Sequence, residues 1–219
     1  MSFLGGQPVE LQILKPYVKS KVETSAGLML ELEWDRSFER LIMSSRRMSM
    51  SFDSINTYVA AHTMVRQDDM DETWTRCFPK LLGTEVTLKW EGALFRKQAF
   101  CVSPNVKTIR NVVPEVIEDD SLARSLNEDP VLRKLISEGR PEEFSVDLSI
   151  DQEALSSPIA LRSFLARPKA IMWTAEVESY VARGIGVNKT ITSIIDMLDL
   201  AIKRAVENSK RIREAEQGD

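Results

Sequence analysis

The residues with the clearest chemical pattern run from Arg183 to Thr190, where Gly184, Gly186, Lys189 and Thr190 lie between an alternating apolar segment and a long helical one. A phosphate loop reads Gly-x4-Gly-Lys-Ser/Thr between a strand and a helix, because successive backbone N–H groups and the helix N-terminus cradle the phosphates. Lys189 and Thr190 match the end of that pattern. Arg183 and Asn188 occupy its two required glycine positions, and side chains there obstruct the close backbone approach the cradle depends on. The two readings are a weak anion-binding turn through Gly184, Gly186, Lys189 and Thr190, or a strand-to-helix turn with Asn188 as its N-cap. The capping preference of asparagine favours the turn.

Asp68, Asp69, Asp71 and Glu72 could offer hard oxygen ligands to a divalent cation, but they lack the Asp-x-Asp-x-Asp-Gly spacing of a calcium loop. Acids at the start of a helix complement its positive end, and that is the preferred reading. The single histidine, His62, and the two cysteines, Cys77 and Cys101, fall short of the about four N/S ligands of a structural zinc site. A Cys–His nucleophile pair would need a local motif that neither cysteine has, so core thiols and a structural histidine are expected. Arg46, Arg47 and Ser49 resemble a basic-directed kinase site, and Lys15, Tyr17, Lys19 and Lys21 a thin basic-aromatic strip; both patterns recur by chance. No catalytic residue, metal ligand or cofactor follows from the sequence.

The totals set further limits. The chain has 219 residues, 28% of them charged, and a formal net charge of −4. A chain of this size can bury a core without disulfide or metal. Phosphate backbones are bound through Lys/Arg excess, so nucleic acid is a disfavoured partner. No basic-then-apolar leader is present at the N-terminus, and no window approaches the about 18 apolar residues of a membrane span. A reducing, cytoplasmic setting is expected, in which the Asn188 sequon stays unmodified.

Alternation predicts strands at 9–14, 28–34, 47–52, 144–150 and 171–177, and a hairpin through 86–101 that turns at Glu91 and Gly92. Lys15, Lys19 and Lys21 lie on a polar connection, and Phe38, Leu41 and Ile42 suit a helical turn. Capping signals predict helices ended by Pro79, started at Ser103, capped by Asp119 or Asp120, capped by Asp129 and stopped by Gly139, and started at Ser157. The last helix carries Ile191, Ile194, Ile195, Leu198, Ile202, Ala205 and Val206 on a stripe about 120° wide. Its tail from Arg213 is expected to fray.

The expected fold is α+β: an antiparallel or mixed sheet with a long C-terminal amphipathic helix packed on it. The chain reads as a single domain over 1–219, with strand-then-helix halves at 1–113 and 114–219. Leu200 falls opposite the helix stripe and Met197 on its flank, which makes them candidate partner contacts. The expected function is a non-enzymatic protein-binding or assembly module, with a protein partner or a homo-oligomer. The alternative is a small-ligand-binding protein or enzyme whose carboxylate/lysine site forms only in three dimensions.

Overall fold

Side-chain alternation in this chain is resolved by one sheet with two unlike faces. The computed structural model describes residues 15–24, 27–33, 36–47, 54–65, 72–91, 97–150, 157, 159–160, 163, 171–182 and 187–218. After a 3-10 turn at Lys15–Tyr17 come β1 (Val18–Thr24), β2 (Gly27–Leu32), β3 (Arg40–Arg47) and β4 (Ser54–Met64). Then follow α1 (Glu72–Leu82), β5 (Val86–Glu91), β6 (Lys97–Val102), α2 (Asn105–Ile109), α3 (Ser121–Glu128) and α4 (Pro130–Gly139). The chain closes with β7 (Glu143–Ile150), β8 (Ile171–Ala182) and α5 (Val187–Gly218). All strand pairs are antiparallel, in the order β1-β2-β3-β4-β8-β7-β5-β6. The architecture is therefore α+β, and β8 joins strands from both ends of the chain in one sheet.

One face of that sheet is apolar. Phe144, Val146 and Leu148 of β7, Trp173, Ala175 and Val177 of β8, and Val59 and Ala61 of β4 are all buried on it. The helices cover this face. Helix α5 packs on β8 and β4 and also against α1, α3 and α4. Its residues Ile194, Met197, Leu198, Ala201, Ile202 and Ala205 have no exposed surface. Burial of this kind contributes about 25 cal/mol per Å² of apolar area, so the packing of this helix on the sheet and on its neighbouring helices stabilises the fold. Polar ties fix its register: Trp173 Nε1 donates to Ser209 Oγ at 2.9 Å, and Ser209 Oγ donates to the Ala205 carbonyl.

The Asp129 carboxylate ties α4 to α5. Its Oδ1 accepts from the Val131 and Leu132 N–H groups at 2.9 and 3.1 Å, capping α4. Its Oδ2 accepts from Arg204 Nε and Nη2 at 3.1 and 2.6 Å. On the outer edge of β6 a side chain takes up the backbone groups of one residue, Phe100. The Asn127 carboxamide accepts from the Phe100 N–H at 2.8 Å and donates to the Phe100 carbonyl at 2.9 Å, as a neighbouring strand would.

Several expectations are corrected. The Lys19–Lys21 segment is strand β1 rather than a polar connection, and Leu41 and Ile42 belong to strand β3 rather than to a helical turn. Strand β3 ends at Arg47, and the remainder of the strand expected at 47–52 lies outside the described residues. The strand expected at 9–14 lies outside them as well. Pro79 does not end α1, which runs on to Leu82. Losing one N–H bond there is offset by the complete burial of Leu81 and Leu82. Helix α5 starts at Val187, which puts Asn188 inside its first turn rather than at the cap. It continues to Gly218 instead of fraying at Arg213, because Ile212 is buried and Lys80 Nζ pairs with Glu216.

Gly139 is the last residue of α4, and the left-handed stop is Arg140 at φ 46°. A Cβ on Gly139 would lie 2.6 Å from the Met197 Cε, so this glycine admits α5 rather than turning the chain. Gly83 is tighter, since its Cβ would stand 1.7 Å from the Ile117 carbonyl oxygen. Backbone cannot yield as a methionine tip can. Gly83→Ala is therefore expected to cost about 3 kcal/mol or more, read from the urea midpoint; an unchanged midpoint would refute this close approach.

Candidate functional site

The opposite face of the sheet carries the polar members of each alternation. On β7 these are Ser145, Asp147 and Ser149; on β8, Thr174, Glu176 and Glu178; on β4, Tyr58, Ala60 and His62. The antiparallel registers place them in cross-strand rows. Arg40, His62, Thr174 and Asp147 are successive partners across β3, β4, β8 and β7. Continuing the Val86–Val146 register sets Glu85 beside Asp147 at the end of that row. In the next row Glu176 stands between Ala60 and Ser145. These two small neighbours leave room around its carboxylate, and Tyr58 reaches it diagonally, its hydroxyl donating to Glu176 Oε1 at 2.6 Å.

Two hydroxyls on this face link Asp147 to His62. Ser149 Oγ donates to Asp147 Oδ2 at 3.0 Å, Thr174 Oγ1 donates to Ser149 Oγ at 3.0 Å, and His62 Nδ1 lies 3.0 Å from Thr174 Oγ1. A threonine hydroxyl has one proton to give. With that proton directed to Ser149, Thr174 accepts from His62 in its Nδ1–H tautomer. His62 Nε2 is then a buried lone pair with no hydrogen-bond partner among the described residues, and Thr87 Oγ1 on β5 is buried and unpartnered too.

The electrostatics are lopsided. Burial, reinforced by the Asp147 charge, pushes Glu85 up to about 8. Burial also lifts Asp147 to about 6; the Ser149 hydrogen bond opposes this and the Glu176 charge adds to it. Burial and then the Glu176 carboxylate hold the Tyr58 phenol well above its ordinary value. His62 is pushed down by burial and by Arg40, against the pull of Glu176. Among the described residues no Lys or Arg forms an ion pair with Glu85, Asp147 or Glu176. Nor do any three His, Cys, Asp or Glu side chains converge as metal ligands there.

The residues singled out by sequence are not brought together. Met197 is fully buried, beside Gly139. Leu200 is half-buried and packed against the core. Its neighbour Asp199 accepts from the Ser37 N–H at 2.6 Å and pairs with Arg36, so the 36–38 segment docks on the helix face expected to be wet. The partner-contact reading of Met197 is corrected on this ground: a side chain without exposed surface offers none. Gly184 and Gly186 lie outside the described residues, while Lys189 and Thr190 fall in the first turn of α5. Asp68, Asp69 and Asp71 are also outside the described residues, and Glu72 is exposed at the start of α1. Cys77 is buried in the core with its Sγ donating to the Trp74 carbonyl, on the side of the sheet away from His62.

Sequence reasoning missed Tyr58, Glu85, Asp147, Ser149, Thr174 and Glu176. The available signal was the polar half of each strand alternation, read as wet when much of it is covered. No helix among the described residues is long and apolar enough to cross a membrane. No family model matches the chain, and neither a curated protein nor a solved structure matches it.

Proposed function

We propose that the chain is a small-ligand-binding protein that receives an organic cation, of the amine or guanidinium class, on the polar face of its sheet. The observation that carries this reading is the gathering of Asp147 of β7, Glu176 of β8 and Glu85, just before β5, with no cationic side chain among the described residues paired to them. Carboxyl groups held close in a poorly solvated site repel one another when ionised, and an incoming cation relieves that repulsion. Thr87 Oγ1 and His62 Nε2 on the same face are buried without hydrogen-bond partners among the described residues, and both could serve a ligand. Because the carboxyls do not converge on one point, an extended cation suits them better than a compact metal ion. The reading as an assembly module drew on Met197 and Leu200, and the burial of the first and packing of the second withdraw that support.

The test is a thermal-shift and calorimetric titration with aliphatic diamines and guanidinium compounds, against diols and dicarboxylates of equal length. Saturating diamine is expected to raise Tm by about 5 °C or more, as ligand linkage of a few kcal/mol gives in a domain of this size. Asp147→Asn combined with Glu176→Gln removes the shift. Equal responses to diamines and diols, or a shift that survives in the double variant, would overturn the reading.

A further inference from the structure

Four side chains on this face are joined end to end: Asp147, Ser149, Thr174 and His62, each within 3.0 Å of the next. Every internal member can both give and receive one proton, so the chain has two self-consistent polarities. In the first, Nδ1–H of His62 donates to Thr174, Thr174 to Ser149, and Ser149 to the Asp147 carboxylate. In the second, a protonated Asp147 donates to Ser149, Ser149 to Thr174, and Thr174 to Nδ1, leaving the histidine proton on Nε2. We propose that these four side chains form a proton relay in which His62 Nε2 takes a proton from a bound molecule, such as the ammonium group of an amine, and the proton equivalent is stored on Asp147.

The balance is simple. One proton is gained at Nε2, the Nδ1 proton passes to Thr174, the Thr174 proton to Ser149, and the Ser149 proton to Asp147. One O–H bond forms at Asp147, the bound molecule loses one proton, and His62 is neutral before and after.

The surroundings favour this path over a lasting imidazolium. Arg40, the cross-strand neighbour of His62 on β3, and burial both act against charge on the ring, whereas Glu176 on β8 acts for it. Glu31 on β2 stands next to Arg40 by register. At the other end, burial and the Glu176 charge raise Asp147 to about 6 against the Ser149 hydrogen bond, and Glu85, just before β5, lies beside it by register. A histidine that resists charging, wired to a carboxylate that accepts a proton, moves protons without holding a cation.

The relay shares its face with the amine site, yet its test uses the free protein, so either idea can fail alone. His62 is the single histidine of the chain, so its ring nitrogens give an unobstructed nitrogen-15 spectrum. Above the Asp147 titration the ring is expected as the Nδ1–H tautomer. As pH falls through about 6, where Asp147 takes its proton, the ring proton is expected to move to Nε2 while the ring stays neutral. Ser149→Ala cuts the chain and should uncouple the tautomer from that titration; Ser149→Thr keeps the hydroxyl and should restore it. The relay is overturned if His62 passes directly to imidazolium in this pH range, or if Ser149→Ala follows the parent course.

Discussion

Glu85→Gln is expected to stabilise the protein at neutral and alkaline pH, by about 3 kcal/mol at pH 7 and about 5 kcal/mol at pH 9. The residue is 5% exposed, and its carboxyl titrates near 8 in the fold against 4.5 when solvated. An acid whose folded value is raised binds its proton more tightly in the native state. Its contribution to stability is therefore whole below pH 4.5 and is lost progressively as pH rises to about 8. Asp147 acts in the same direction between 3.8 and about 6. Glutamine has the shape of the protonated acid and nothing to ionise, so the variant should match the parent at pH 4 and diverge above it. Urea unfolding at pH 4, 7 and 9 checks this; parallel pH profiles for the two proteins would show that Glu85 is not held neutral.

Asp129 has the opposite sign. Burial alone would raise its carboxyl, but the Arg204 guanidinium and the Leu132 and Val131 N–H groups together hold it below its ordinary value. Its stabilisation is thus present above about pH 4 and lost as pH falls through the depressed value. Asp129→Ala removes the cap of α4 and leaves Arg204 only Glu207 as its partner, at 2.8 Å. The expected loss is about 2 kcal/mol at pH 7, from a cap near ~1 kcal/mol and an ion pair whose Arg204 side is partly exposed. Asp129→Asn keeps an oxygen for the cap and should lose roughly half as much. If both variants unfold at the same urea concentration, the cap contributes nothing and the ion pair with Arg204 alone matters.

The fold was legible wherever the two faces of a strand differ in kind. Strand β7 alternates Phe144, Val146 and Leu148 with Ser145, Asp147 and Ser149, and β8 alternates Trp173, Ala175 and Val177 with Thr174, Glu176 and Glu178. Both were expected and both are found. Strand β4 was passed over because its faces barely differ: Ala60 stands among Tyr58 and His62, opposite Ala61 beside Val59. Helix α5 was expected as a helix with one buried stripe. Contacts with α1, α3 and α4 as well as the sheet bury Met197 outside that stripe, and local periodicity cannot announce such neighbours. The candidate site was illegible for a related reason. It draws on strands far apart in sequence, with His62 meeting Thr174 and Tyr58 meeting Glu176 only after β8 pairs with β4. Register creates the constellation, and register is a property of the assembled sheet.

The Asn127 carboxamide on Phe100 bears on how copies of this chain can meet. An open sheet offers two edges, and repeated addition of strands needs both. At β6 an incoming strand would have to displace two hydrogen bonds already made at 2.8 and 2.9 Å. The Asn127 side chain on Phe100 therefore stands where the backbone of another copy would have to pair, and strand addition at that point is disfavoured.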